Sequence, residues 1–419
     1  MTKEHEANLD KYADLVVNLG LNLQPGQSLL VAGSALTGVD IYLAPFVRLV
    51  AEKAYRRGAP LVDVIWWDPA LECARFKLAT ADSFRSYPKW LGNAMVEHHE
   101  AGNAYLVVYA EDPGLLADFN PTTVAARLAA IGGTVAAARA YRSRNAINWA
   151  VVSAPTPAWA AHVFPGLAYA DAEPRLWRLI FEACRVLDAD PLSAWRAHVK
   201  DLSLRTAHLT HKQYTTLRYT APETNLTIGL PEGHTWLSGS MVSQSGIPFV
   251  ANLPTEEVFT LPHRLKVEGT VTATKPLVTS GNSIEGMSLT FSEGKVTQAT
   301  ARKGEAFLKG LLRTDEGTAR LGEVALVPHS SPISRMGVTF HNILFDENAA
   351  SHLALGSAHR AALQGGASAT DEQFLNAGGN LSQLHEDFMV GSGALDVDGI
   401  RGDGDVEPVM RAGEWAFNV

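Results

Sequence analysis

Apolar and polar positions alternate with two different periods along this chain, and the change of period divides it in two. Up to about residue 205, helical spacing and short apolar runs take turns. Leu9, Tyr12, Ala13, Val16, Val17 and Leu19 fall on one face of a helix over 7–20 that Gly20 ends. A QPGQ turn leads to the apolar run 28–34, then a helix over 42–57 closed by Gly58. Further apolar runs at 60–68, 103–111 and 147–153 read as buried strands. Helices are expected between and after them, over 83–98, 123–144 with a break at Gly132-Gly133, 174–187 and 191–209. Uninterrupted apolar strands separated by helices indicate a parallel sheet in an α/β domain.

After residue 205 the segments are shorter, β-rich and punctuated by turns, as over 216–239, 248–260, 263–278 and 283–301. A helix is expected over 303–313, a strand over 323–328, a helix over 347–359 and strands over 384–392 and 414–419. The expected organisation is an α/β domain over 1–205 with a parallel sheet, followed by a mixed α+β domain over 206–419. At 419 residues the chain is long enough for both.

The net charge of -9 argues against a nucleic-acid or anionic-membrane partner. No apolar run is long enough for a transmembrane helix, and the charged, amphipathic N-terminus lacks the apolar core of a signal peptide, so the cytoplasm is the expected compartment. Cys73 and Cys184 are too few for a disulfide framework and are read as reduced thiols. No Gly-rich nucleotide-binding loop and no G-x-S-x-G elbow occurs. The RGD at 401–403 reads as a turn.

The candidate chemistry lies in the second half. Glu256 and Glu257, Glu323, Glu347, His352, His385 and Asp387 sit in apolar segments where unpaired charge is costly. Mixed carboxylate and imidazole donors suit Zn, Co or Mn, and an excess of carboxylates suits two ions sharing a bridge. His385 and Asp387, two apart in a strand, share a face. They also suit a simple hydrogen-bonded pair. Glu347 equally suits a helix start, and Glu323 an exposed edge. Glu256 and Glu257 point to opposite faces if extended, and spacing does not say which would meet a metal.

In this order, LGLNLQPGQSLLV, GLPEGHTWLSG, NLPTEEVFTLPHRLKVEGTVTATKPL, GLLRTDEGTARLGEVALVP, FDENAASHLALGSAH, HEDFMVGSGALDVDGI and GEWAFNV resemble the aminopeptidase T/aminopeptidase S family of metallopeptidases. The resemblance covers essentially the whole chain. It implies a cytoplasmic exopeptidase acting on peptides, a homodimer, two divalent ions and a C-terminal catalytic domain. It implies Glu257, Glu323, His352, His385 and Asp387 as ligands, with Glu347 a ligand or the base and Glu256 meeting the substrate amine or acting as base. The family has a tyrosine seven residues after the histidine at 352. Here that position is His359, a candidate catalytic residue. Two other readings stand beside it. One is a non-catalytic or altered-specificity homologue that binds peptide or metal, motivated by His359. The other is a metal-dependent hydrolase of non-peptide amides.

Overall fold

Four of the apolar runs become neighbours in one parallel sheet. A computed structural model of the chain describes all residues except 1, 34–37, 111 and 280–281. Leu29–Gly33 (β1), Val62–Val64 (β2), Ala104–Tyr109 (β3) and Trp149–Ser153 (β4) lie side by side in the order β4-β3-β1-β2, every pair parallel. The last positions of the strands expected over 28–34 and 103–111 fall outside the described residues. Parallel neighbours need long crossovers, and helices provide them. Lys3–Leu15 (α1) continues through a wider helical turn to Gly20 before β1. Ala44–Arg56 (α2), Pro69–Leu78 (α3), Lys89–Glu100 (α4) and Pro121–Ser143 (α5) fill the connections, and Pro157–Val163 (α6), Tyr169–Ala183 (α7) and Pro191–Lys212 (α8) follow β4. Tyr105 and Val107 of β3 pack with Ile131 and Val135 of α5.

Two features of this unit differ from the sequence reading. A fifth strand, Asn252–Leu253, adds to β4 in parallel from a segment about a hundred residues downstream. And α5 runs unbroken through Gly132 and Gly133. Glycine costs a helix about 1 kcal/mol relative to alanine, and α5 offsets that by burying Val124, Ile131, Val135 and Ala138 along one side.

The chain forms two compact units. The first comprises Met1–Ala197, Ser240–Pro254 and Val338–Leu344, and the second comprises His198–Gly239, Thr255–Gly337 and Phe345–Val419. The expected boundary at 205/206 thus falls inside α8, and two short later segments belong with the first unit rather than the second. The returns rest on non-local contacts that no local pattern encodes: Asn252–Leu253 pairs with β4, and the Phe340 carbonyl accepts from Trp159 Nε1.

The second unit is built on two large antiparallel sheets and a two-stranded one, Leu277–Thr279 with Asn282–Ile284, with short helices such as Glu305–Leu311. The larger sheet has eight strands drawn from Thr216–Ala221 through Glu414–Trp415. The smaller has five: Leu237–Ser238 (β5), Val258–Thr260 (β6), Leu321–Leu326 (β7), His352–Gly356 (β8) and His385–Met389 (β9), in the order β9-β8-β7-β6-β5. Here the helix expected over 347–359 is corrected. Glu347–Ala349 makes one tight turn, and His352–Gly356 is a fully buried strand between β7 and β9. A short apolar run carries no period that separates a buried strand from a helix, and here pairing on both edges decides.

Gly133 is exposed and a Cβ there meets nothing within 4 Å. Gly133→Ala should therefore stabilise the protein by about 0.5–1 kcal/mol. A rise in thermal midpoint checks this, and a fall would mean the helix is broken there after all.

Candidate metal centre

The three strands β7, β8 and β9 differ in character between their two faces, apart from Glu386 opposite Leu355 and Met389 opposite His352. Cross-strand partners share a face, as do residues two apart. Glu323 is opposite Ala354, and Ala354 opposite Asp387; Ala325 is opposite His352, and Gly356 opposite His385. One face therefore carries Glu323, His352, His385 and Asp387, separated by Ala325, Ala354 and Gly356, whose small side chains leave room above the sheet. The other carries Val324, Leu326, Leu353, Leu355 and Phe388, which enter the main hydrophobic core of the unit together with Val258.

A bulge sets this phase. Leu321 is opposite Leu355, but Glu323 is opposite Ala354, so Gly322 is the extra residue. Without it Leu321 and Glu323 would share a face. With it Leu321 enters the core and Glu323 turns to the polar side. A Cβ at Gly322 would lie 2.3 Å from the Gly356 carbonyl oxygen, so only glycine fits.

Glu257 reaches the same place from the segment just before β6. Its Oε2 lies 3.1 Å from His352 Nε2, and Glu323 Oε1 lies 3.5 Å from that nitrogen. On the other side of Glu323, His385 Nε2 is 3.8 Å from Glu323 Oε2 and 3.3 Å from Asp387 Oδ1. Donor atoms of Glu257, Glu323 and His352 fall within 4.8 Å of one another, as do those of Glu323, His385 and Asp387. Glu323 is common to both groups.

The tautomers are set from behind. His352 Nδ1 lies 3.1 Å from the Ala350 carbonyl oxygen, and His385 Nδ1 lies 2.7 Å from that of Ser357. A carbonyl only accepts, so each Nδ1 carries the hydrogen. In the neutral ring Nε2 then offers a lone pair to the cluster, the arrangement by which second partners orient metal-binding imidazoles. Glu257 Oε2 and Asp387 Oδ1 are buried and make no aligned hydrogen bond despite these short distances. Buried carboxylate oxygens left unbonded beside imidazole nitrogens in two close groups fit a divalent cation.

The remaining residues singled out in the sequence lie around this cluster. Glu347, on the turn before β8, is outside the two close groups but feels Glu257, Asp387 and His352. Glu256 is buried, with Oε2 3.5 Å from His198 Nε2. His359 stands edge-on to the Phe259 ring at 5.9 Å and feels His385. Two neighbours were not anticipated. His198 lies in α8, 57 positions before Thr255, whose carbonyl oxygen its Nε2 contacts at 2.8 Å. Asn348, next to Glu347, accepts at its Oδ1 from the Glu256 N–H at 2.7 Å. Neither has a spacing signal, because both contacts join segments far apart in sequence.

Electrostatics make the cluster costly without a cation. Burial pushes the Glu347 carboxyl well above the carboxylate range, and repulsion from Glu257 and Asp387 adds to it. Burial also raises Glu323. Burial alone would lower His352 and His385, but the surrounding carboxylates outweigh it and hold both well above the histidine range. Burial would raise Asp387, but His385 beside it keeps it below the usual range. In the metal-free protein, protons therefore supply the positive charge that a cation would bring.

Comparison with known proteins places the chain among metalloproteases. The family model described as thermophilic metalloprotease (M29) matches residues 5–415. The chain belongs to this family. It is 46% identical to aminopeptidase 2 of Geobacillus stearothermophilus over 99% of both chains, and 44% identical to aminopeptidase T of Thermus aquaticus over 98% of both. The solved structure of wild-type AmpT from Thermus thermophilus superposes with a TM-score of 0.92 at 41% identity, covering 98% of this chain and 100% of that one. Among the described residues, no helix is long and apolar enough to cross a membrane.

Protons on His352 and His385 must leave before Nε2 can bind a metal. Zn added to chelator-stripped protein near neutral pH should release protons, and its affinity should rise with pH. Calorimetry in buffers of different ionisation enthalpy reads this. An affinity independent of pH between 6 and 8 would contradict it.

Proposed function

We propose that this centre removes the amino-terminal residue from peptides by metal-dependent hydrolysis. The observation that carries the proposal is the pair of donor groups sharing Glu323, with both imidazoles turned by backbone carbonyls so that Nε2 faces the carboxylates. Membership of a metalloprotease family and high identity to proteins named aminopeptidases support it. Two sharing groups support two ions, one by Glu257, Glu323 and His352 and one by Glu323, His385 and Asp387. Zn, Co or Mn bound there supplies Lewis acidity at the scissile carbonyl and lowers the pKa of water to be used as the nucleophile.

The chain's own groups do the rest. Glu347 is the acid–base residue: burial and its anionic neighbours raise its proton affinity, which suits a carboxylate that takes a proton from water and passes it to the leaving amine. Glu256 is the second acid of the site, held on the other side of the chain from Glu257, and receives the substrate α-ammonium. His359 is pushed down to about 4 by burial, with His385 adding to it, and so is neutral at physiological pH. It serves as a neutral N–H donor toward the reacting carbonyl. The resemblance extends the proposal to the cytoplasm and to a homodimer.

Stripping with a chelator should abolish release of p-nitroaniline from aminoacyl-p-nitroanilides, and Zn, Co or Mn should restore it. N-acetylated versions should not be cleaved. Indifference to chelator overturns the metal reading; cleavage of the acetylated amides points to a general amide hydrolase; and retained metal with no turnover points to a binding homologue. Glu347→Gln should lower kcat by about 10²–10⁴-fold with metal content unchanged. Loss of metal instead would make Glu347 a ligand.

A further inference from the structure

Glu256 and Glu257 are consecutive, lie in no strand, and must face different partners. Glu257 joins His352 and Glu323, while Glu256 lies by His198. Successive side chains of extended backbone point opposite ways, but an unpaired segment is free to rotate about its peptide planes. A rotation of the Thr255–Glu256 peptide would swing both carboxylates together. What holds that plane therefore sets the direction of both.

The plane is held at both ends. The Thr255 carbonyl accepts from His198 Nε2 at 2.8 Å. Because a carbonyl only accepts, that nitrogen carries the hydrogen, and the same N–H edge lies 3.5 Å from Glu256 Oε2. The other end of the same peptide, the Glu256 N–H, donates to Asn348 Oδ1 at 2.7 Å. That fixes the amide orientation and turns Asn348 Nδ2 toward Glu347 Oε1 at 3.4 Å. Thr255 and Asn348 are fully buried, and Glu256 is 4% exposed. A Cβ on Gly239 would lie 2.3 Å from the Thr255 methyl, so the segment is closed in on that side too.

We propose that His198 and Asn348 are positioning residues that clamp one peptide group, so that Glu257 faces the metal donors and Glu256 faces the amino end of the substrate. The clamp also ties Glu347 to the same unit through Asn348. The role of Glu256 toward substrate rests on the function proposed above; the role of the clamp toward Glu257 does not. His198 comes from α8 and Asn348 from the turn before β8, so the two segments that carry acids off the strands are registered by a single amide plane.

The test uses the full chain, stripped with chelator, with Zn affinity measured by competition against a chromophoric chelator. His198→Phe and Asn348→Ala should each weaken Zn binding on the order of tenfold. The double variant should be little worse than the worse single, because both hold the same peptide group. His198→Gln, which returns an N–H donor, should recover most of the loss. With aminoacyl-p-nitroanilides, His198→Phe should raise KM by about tenfold and change kcat much less, since it misdirects a binding group. Should His198→Phe not fold, His198→Met carries the same comparison. Unchanged Zn affinity in both singles, losses that multiply in the double variant, or a His198→Gln protein no better than His198→Phe with equal thermal midpoint would overturn the clamp. If the clamp behaves as expected but the unaltered chain hydrolyses no peptide with any metal, the proposed function fails and the clamp stands.

Discussion

The two-faced character of three antiparallel strands is the constraint on which the second unit depends. β7, β8 and β9 alternate with a period of two, and their registers align those alternations. One face is mainly Val, Leu and Phe, with Glu386 on the edge strand, and is driven into the core by burial. The opposite face then has no freedom: Glu323, His352, His385 and Asp387 must converge, because moving any of them away would lift a leucine out of the core. A one-residue slip would exchange the faces altogether. The candidate metal donors are thus positioned by hydrophobic packing beneath them, and the Gly322 bulge corrects the place in β7 where the alternation would go out of phase.

Convergence creates an electrostatic cost that the rest of the site answers. Several carboxylates held near one another out of water repel and are poorly solvated. Part of the answer is the imidazoles, each anchored by its far nitrogen to a backbone carbonyl. The fuller answer is a divalent cation, which satisfies oxygens and nitrogens at once and allows each acid to remain ionised. The same tension explains why Glu347, slightly outside the two close groups, is the acid whose proton affinity is driven up most naturally: it shares the burial and the repulsion but has no imidazole in contact.

The acids carried by loops pose a different problem from those carried by strands. Glu256, Glu257 and Glu347 have no ladder to orient them. Their directions come from side-chain hydrogen bonds to backbone groups, chiefly those of His198 and Asn348. Buried polar groups of this kind are effective only when their bonds are made, which ties the placement of one acid to that of the others.

Much of this was legible in the sequence. The four strands β1 to β4 are apolar runs bounded by turns and helices, a pattern that only a covered parallel sheet explains, and acids or imidazoles inside apolar runs marked Glu323, His352, His385 and Asp387 as paired or ligating. Matched segments along the whole chain indicated the family that the comparisons establish. Tertiary structure alone decided the rest. HLALG reads equally as helix or strand until two neighbours pair with it. Gly132-Gly133 reads as a break until a buried stripe holds α5 together. The return of Asn252–Leu253 to the first sheet, the bulge at Gly322, and the contacts of His198 and Asn348 with one peptide group leave no local trace. Periodicity records which face a residue prefers, since that depends on its neighbours in sequence; which distant segment meets that face depends on the packing of the folded chain.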